Sequence, residues 1–403
     1  MPNPLKEKHV VLGVTGSIAC HKAVDLASKL TQQGALVDVV MTDSALEFVT
    51  ELAFQSITHR SVVVDLFEPQ SESGIDHVEL AERADIVVVA PATANTIAKV
   101  ALGIADDALT TSVLATRAPL IVCPAMDGYM YDNPATQENL AKLKSRGVTV
   151  AGPVEGYLAS GLSGRGRMLE PHEIVGHVCQ VLGHDGDLAG RTIVVSAGGT
   201  QEPIDPVRVI TNRSSGKQGF AIAEAARDRG ASVRLVTGPS ALPDPPSVEV
   251  TRVETVAEMR EAVLGACADA DALIMAAAVS DYRPAKVSVQ KIKKKNSDGP
   301  LVLSLEPNAD FLPEVPNGVV KVGFAAETKD VEANASVKLE AKNLDLIAAN
   351  NVTADRSGFA SDTNRVVLLD RNGGAERLDL MSKYEVGHRI LDRVVGLFSG
   401  PKT

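Results

Sequence analysis

Several short runs in this 403-residue chain have the residue types and spacing that chemistry needs. Gly13-Val14-Thr15-Gly16-Ser17-Ile18-Ala19 sets glycine and hydroxyl residues where an apolar run gives way to a helical pattern. Glycine lets the backbone approach a phosphate, and a helix start supplies N–H donors and a positive dipole. A tight turn without a ligand would use the same residues. Ala90 to Thr96 (APATANT) follows a second apolar run, and Thr42 and Ser44 follow a third. Polar loops converging on one sheet edge suit a small phosphorylated ligand. His77, within GIDHVEL, is either a surface or capping residue or a proton-transfer group. Further on, Asn212-Arg213-Ser214-Ser215-Gly216-Lys217-Gln218-Gly219 lacks the Walker spacing. It still makes a phosphate cradle at a helix start, or a structural turn. Lys286 to Lys295 holds five lysines. Such a run is a solvated segment, a basic loop for RNA, or a mobile loop folding lysines over a triphosphate. Lys338 and Lys342 are four apart and share one helix face.

Elements that position these runs are legible from hydrophobic patterning. His9 to Val14 reads as a buried strand, Ile18 to Gln33 as a helix, and Val37 to Met41, Asp85 to Ala90 and Leu120 to Cys123 as further strands. Val148 and Val150 mark a fifth. Strands separated by helices give a parallel sheet with right-handed crossovers and a ligand edge at the strands' C-terminal ends. The polar stretch 184–190 reads as a linker. Beyond it, Thr192 to Ser196 is a strand, and Gly219 to Arg229 is a helix. QGALVDVVMTDSA at 33–45 is echoed by RGASVRLVTGPSA at 229–241, and ADIVVVAPATAN at 84–95 by ADALIMAAAVSDY at 270–282. The expected fold is α/β, with two tandem doubly wound, Rossmann- or flavodoxin-like domains over 1–188 and 189–403.

Composition narrows the function. Hydrophobic residues make up 45% and charged residues 23%, which excludes a disordered, collagenous or coiled-coil chain. A net charge of -11 argues against a nucleic-acid surface, which also disfavours RNA for the lysine run. The four cysteines are widely spaced, which fits a reducing cytoplasm and disfavours a zinc site. No signal-peptide core and no apolar run of roughly 18 residues is visible, so no membrane partner is expected.

The order GxTGSIA, HVEL, PATANT, Pro124-Ala125-Met126-Asp127 to Met130, and Gly164-Arg165-Gly166-Arg167-Met168 resembles the flavin-dependent cysteine decarboxylases over about 1–180. The resemblance implies that FMN oxidises the substrate thiol, so that carbon dioxide can leave, and then returns the electrons. It also implies that Thr15, Gly16, Ser17, Thr42, Thr93 and Asn95 hold FMN. His77 would be the base or orienting group, and Met126 and Met130 would line the substrate pocket. Two positions depart from the family. Asp127 stands where relatives carry Asn for the substrate carboxylate, and Ser160 where they often carry a proton-donating Cys. An inactive domain, another proton donor, or a working subtype with both residues changed would each explain this. The intact flavin loops, His77 and GRM run favour the working subtype. Asp127 is then the acid, with its pKa expected to be raised by burial against the flavin and the substrate carboxylate.

GGTQEPIDPVR, ITNRSSGKQG, AAVSDYRP, KIKKK, VGFAAET and KNLDLIAAN resemble phosphopantothenate–cysteine ligase over 190–395. The fusion of both halves resembles the bacterial bifunctional coenzyme A enzymes. The resemblance implies activation of 4'-phosphopantothenate by CTP with Mg²⁺, then capture of the acyl-cytidylate by cysteine. Asn212 would hold the acyl-phosphate oxygens and Lys291 would neutralise developing charge. Asp281, Asn308, Ala309, Asp310, Phe311, Phe324, Lys338 and Lys342 would bind CTP. Metal ligands are not assigned. It further implies a homo-oligomer, with trimeric decarboxylase contacts and dimeric ligase contacts building up to a dodecamer. A ligase carrying a vestigial or altered-specificity decarboxylase is the alternative.

Overall fold

The computed structural model describes residues 3–65, 76–161, 163–293, 301–327, 330–351 and 361–398. The chain folds as two units, one of Asn3–Leu182 and one that begins at Gly183.

In the first unit, β1 (His9–Val14), β2 (Leu36–Met41), β3 (Val62–Val63), β4 (Ile86–Ala92), β5 (Leu120–Pro124) and β6 (Thr149–Val150) form one sheet. Its order is β3-β2-β1-β4-β5-β6, and every pairing is parallel. Alternation along β4 shows why both faces are covered. Ile86, Val88 and Ala90 enter one core, and Val87, Val89 and Ala92 enter the other. Side chains point to opposite faces with a period of two, so a continuous apolar strand must be buried on both. The strand order reverses between β1 and β4, and such a switch point opens a crevice at the strands' C-terminal ends.

The second unit repeats the plan. Its main-sheet strands are β7 (Thr192–Ala197), β8 (Ser232–Thr237), β9 (Glu249–Arg252), β10 (Ala272–Met275), β11 (Val320–Glu327), β12 (Leu346–Asn351), β13 (Val366–Asp370) and β14 (Ala375–Arg377). The order is β9-β8-β7-β10-β11-β12-β13-β14. Pairing is parallel through β12, and β13 and β14 add antiparallel strands at the edge. Among the described residues no helix is long and apolar enough to cross a membrane.

The 184–190 stretch, expected as a linker, is instead part of the second unit. Leu188 is fully buried, and its N–H donates to the Arg229 carbonyl. The Arg229 guanidinium, itself buried, binds both oxygens of Asp187 and one oxygen of Asp392. An ion-paired arginine and a leucine anchor outweigh the local Gly and Asp signals that read as a linker.

His388, on the C-terminal helix Lys383–Phe398, is 1% exposed. Its ring meets Tyr384 edge-on at 4.6 Å, and neither ring nitrogen has a hydrogen-bond partner among the described residues. Burial, with the Arg229 guanidinium adding to it, pushes the ring pKa down to about 4. Below the ordinary value of 6.5 the unfolded chain takes up a proton that the folded chain refuses. Stability is therefore lost as pH falls from 6.5 toward 4, by about 2 kcal/mol at about pH 5. Denaturant unfolding followed by circular dichroism at about pH 7.5 and about pH 5 checks this. His388→Leu should lose less on acidification than the unaltered protein, and an equal loss would clear His388 of the effect.

Candidate active sites

In the first unit the loops after β1, β2 and β4 meet at the switch point. Thr15 is 1% exposed and its hydroxyl is committed to the protein. It donates to the Pro91 carbonyl at 2.8 Å and accepts the Thr93 N–H at 3.0 Å. Thr15 thus ties two loops together, where the family resemblance implied a residue that holds FMN. Gly16 must be glycine, because a Cβ there would lie 2.5 Å from the Ser44 Cβ and 2.8 Å from its carbonyl oxygen. Ser17 caps its own turn, its Oγ accepting the Ala19 N–H at 3.3 Å. Thr93 caps the helix Ala94–Leu102, its Oγ accepting the Thr96 N–H, and Asn95 is exposed in that helix's first turn. The Thr42 hydroxyl is buried without a hydrogen-bond partner among the described residues. A buried polar atom without a partner costs free energy, and a bound flavin would supply the missing one. The loops fit such a group.

His77 is the second residue of the helix Asp76–Arg83, and its side chain lies outside the described residues. After β5, Met126 packs against the core, while Met130 is 51% exposed on the short helix Gly128–Asp132. Asp127 caps that helix, its Oδ1 accepting the Tyr129 N–H at 3.0 Å. Its Oδ2 accepts the Ser160 Oγ–H at 2.5 Å. Ser160 sits in the turn of a hairpin, Val154–Tyr157 with Ser163–Arg167. The Met126 N–H donates to the Gly166 carbonyl, and a Cβ at Gly166 would lie 2.1 Å from the Met126 carbonyl oxygen. The two departures from the family pattern are therefore one hydrogen-bonded unit. The expectation of a raised Asp127 pKa is overturned in the protein alone. The Ser160 hydroxyl, and then the Tyr129 N–H, hold the carboxyl below its ordinary range. Both donors stabilise the carboxylate, and desolvation is too weak to reverse them.

In the second unit a cavity of about 480 Å³ opens at the C-terminal ends of β10, β11 and β12. Asn212, Asp281, Asn308, Ala309, Asp310, Phe311, Phe324, Lys338 and Lys342 all line it. The Asn212 amide donates to the Val279 carbonyl at 3.1 Å. Lys338 Nζ donates to the Phe324 carbonyl at 2.9 Å, and Lys342 pairs with Asp310 at 3.1 Å. Burial, then the Lys342 ammonium, push Lys338 below its ordinary range, against Glu327, Asp281 and Asp310. Asn308 donates its amide to the Ser280 carbonyl, so one loop braces another.

Lys291 is not in the cavity wall. Its side chain is exposed, and Lys294 and Lys295 lie outside the described residues. The neighbouring Ile292 N–H donates to Asp205 Oδ2 at 3.0 Å. Sequence reasoning named neither this contact nor Lys383, Asn350 and Asn364, which also line the cavity. Lys383 is 5% exposed, and burial with the Lys217 ammonium brings its pKa down to about 8. Asn364 donates to Gln218 Oε1, and Gln218 donates to the Lys383 carbonyl. No local pattern announces these residues, because they reach the SSGKQG helix from more than a hundred positions away.

No group of three or more His, Cys, Asp or Glu side chains placed to hold a metal ion occurs among the described residues. A Mg²⁺ ion usually binds through one or two carboxylates plus substrate phosphates, and the cavity wall holds two carboxylates, Asp281 and Asp310, the second of them paired with Lys342.

Residues 1–183 match the Flavoprotein family, and residues 188–397 match the DNA/pantothenate metabolism flavoprotein C-terminal domain. The coenzyme A biosynthesis bifunctional protein CoaBC of Bacillus subtilis (strain 168) is 45% identical over 98% of each chain. Its namesake from Escherichia coli (strain K12) is 44% identical over 97% of each. A crystal structure of the C-terminal domain of a coenzyme A biosynthesis bifunctional protein CoaBC is 38% identical. It covers 53% of this chain and 98% of that one, with a TM-score of 0.46. By its two matched domains in this order and its full-length relatives, the chain belongs to the family of bifunctional coenzyme A biosynthesis proteins.

Proposed function

We propose that the second unit ligates 4'-phosphopantothenate to cysteine using CTP and Mg²⁺. The first unit then decarboxylates the product to 4'-phosphopantetheine with FMN. One observation supports this best: nine residues assigned to the acyl-cytidylate chemistry from sequence line one cavity.

In the ligase, a carboxylate oxygen of 4'-phosphopantothenate attacks the α-phosphate of CTP and pyrophosphate leaves. The cysteine amine then attacks the acyl carbon and CMP leaves. The Asn212 amide holds the acyl-phosphate oxygens, and Lys338 and Lys342 face the phosphates. Asp281, Phe324 and the 308–311 loop hold the nucleotide. Lys291 neutralises the charge that develops during transfer, and Mg²⁺ when bound would supply further neutralisation. In the decarboxylase, FMN supplies thiol oxidation and its reversal when bound. Gly16, Ser17, Thr42, Thr93 and Asn95 hold it, with Thr15 fixing the loops. His77 handles a substrate proton, Met126 and Met130 border the substrate, and Asp127 with Ser160 faces its carboxylate. The same reading puts the enzyme in the cytoplasm as a homo-oligomer, with trimeric decarboxylase and dimeric ligase contacts.

Supplying 4'-phosphopantothenate, cysteine, CTP and Mg²⁺, and identifying products by mass, tests both steps at once. The expected products are pyrophosphate, CMP, carbon dioxide and 4'-phosphopantetheine. Pyrophosphate without carbon dioxide would favour a ligase with a vestigial decarboxylase. The purified protein should also be yellow, and Thr42→Val should weaken FMN binding roughly tenfold by removing a hydroxyl partner. Fluorescence titration of the flavin-stripped protein measures this. A colourless protein that takes up no FMN would remove the flavin reading.

A further inference from the structure

We infer that Asp205 is the positioning residue for Lys291, clipping the lysine segment onto the same rigid ribbon that carries Asn212. This rests on the ligase reading above.

The ribbon is a hairpin of Gln201–Pro203 and Val209–Thr211, antiparallel and three residues deep. Its tip is Ile204 to Arg208, and the residue after its second strand is Asn212 in the cavity wall. Asp205 closes the tip. Its Oδ1 accepts the Val207 N–H at 2.8 Å and the Arg208 N–H at 2.9 Å. Its Oδ2 accepts the Arg208 guanidinium at 2.5 Å. The remaining bond leaves the ribbon, as Oδ2 also accepts the Ile292 N–H at 3.0 Å. Two more bonds run the same way: the Ile292 carbonyl accepts Arg208 Nη1 at 3.1 Å, and the Ser288 N–H donates to the Ile204 carbonyl at 2.9 Å.

Asp205 is 2% exposed, in a chain where most aspartates face water. A buried carboxylate persists only where donors saturate it, and one of its four donors here is the backbone of the lysine segment. The segment is thus held by its backbone while the Lys291 side chain stays exposed. That division suits a cation that must meet a ligand, because pinning the adjacent residue narrows the search of a flexible side chain. Since the ribbon also carries Asn212, the clip fixes Lys291 and Asn212 relative to each other.

Asp205→Asn is nearly isosteric, yet it puts an amide donor where either the tip or Ile292 needs an acceptor. We expect ligation turnover to fall about tenfold or more, with the KM for CTP little changed, because positioning acts on the transition state. In a Lys291→Gln background the same substitution should cost almost nothing further, since residues acting through one another are not additive. Trypsin cleavage after Lys291 and Lys293 in the otherwise folded protein should speed up in Asp205→Asn, whatever the activity. Additive losses, an unchanged or raised turnover, or unchanged cleavage would each overturn the proposal. Ile292→Pro removes the same bond from the other partner and, because trypsin does not cut before proline, should speed cleavage after Lys293 alone if Asp205→Asn folds poorly. If the unaltered protein releases no pyrophosphate but Asp205→Asn still frees the segment, the ligase reading fails while the clip stands.

Discussion

Lys291→Gln is expected to lower ligation turnover about a hundredfold or more while leaving decarboxylation unchanged, since a charged group at a transition state is worth roughly 3 kcal/mol. Gln keeps a polar side chain of similar reach and removes only the ammonium. Lys291 is exposed and outside the cavity wall, so the substitution leaves the core untouched. On the proposed ligase reading its contact with the phosphates is made as charge develops, so turnover and kcat/KM should fall together. Pyrophosphate release from CTP measures the first activity. Carbon dioxide release from supplied 4'-phospho-N-pantothenoylcysteine measures the second. A loss below about threefold, under 1 kcal/mol, would make Lys291 an ordinary solvated lysine.

The two sites were legible in the sequence to different degrees, for physical reasons. Loops that follow buried strands announce themselves, because an apolar run must end where the sheet ends. Thr42, Thr93 and Asp281 lie on such loops, whereas Phe324 lies within β11 and is named only through the family resemblance. Cavity-lining residues supplied by a distant element carry no such signal. Lys383 opens the last helix and Asn364 sits in a two-residue strand, and each reaches the cavity only through the tertiary fold. The 184–190 stretch shows the reverse failure, as Gly and Asp resembled a linker until Asp187 met Arg229. Thr15 shows a third: a hydroxyl in a ligand loop can serve the loop itself. Asp127 and Ser160 read as two residues changed together in a working subtype, but positions 33 apart give no hint that they share a hydrogen bond.

That shared bond sets the pH behaviour expected of the decarboxylase. With the substrate absent, the Ser160 hydroxyl and the Tyr129 N–H keep Asp127 ionised. A substrate carboxylate brought beside it adds a like charge, and two neighbouring carboxylates cannot both stay ionised cheaply. Binding should therefore take up a proton, shared between Asp127 and the substrate, and that proton is available for transfer once carbon dioxide has left. The depressed pKa of the free enzyme makes the protonated form scarce at neutral pH. Hence kcat/KM for decarboxylation should fall as pH rises through the neutral range, while kcat should hold to higher pH, where the bound complex titrates. Ser160→Ala removes a donor that favours the carboxylate. It should raise the Asp127 pKa, keep most of the turnover and shift the falling limb to higher pH. Asp127→Asn should flatten the limb, because an amide has no charge to suppress. Asp127→Ala should cost about a hundredfold or more in turnover, as the loss of a positioned acid does, and His77→Asn should abolish the reaction. Carbon dioxide release by the four variants across pH decides among these. A flat profile in the unaltered enzyme, or wild-type rates in Asp127→Ala, would show that Asp127 serves only as the cap of its helix and the partner of Ser160.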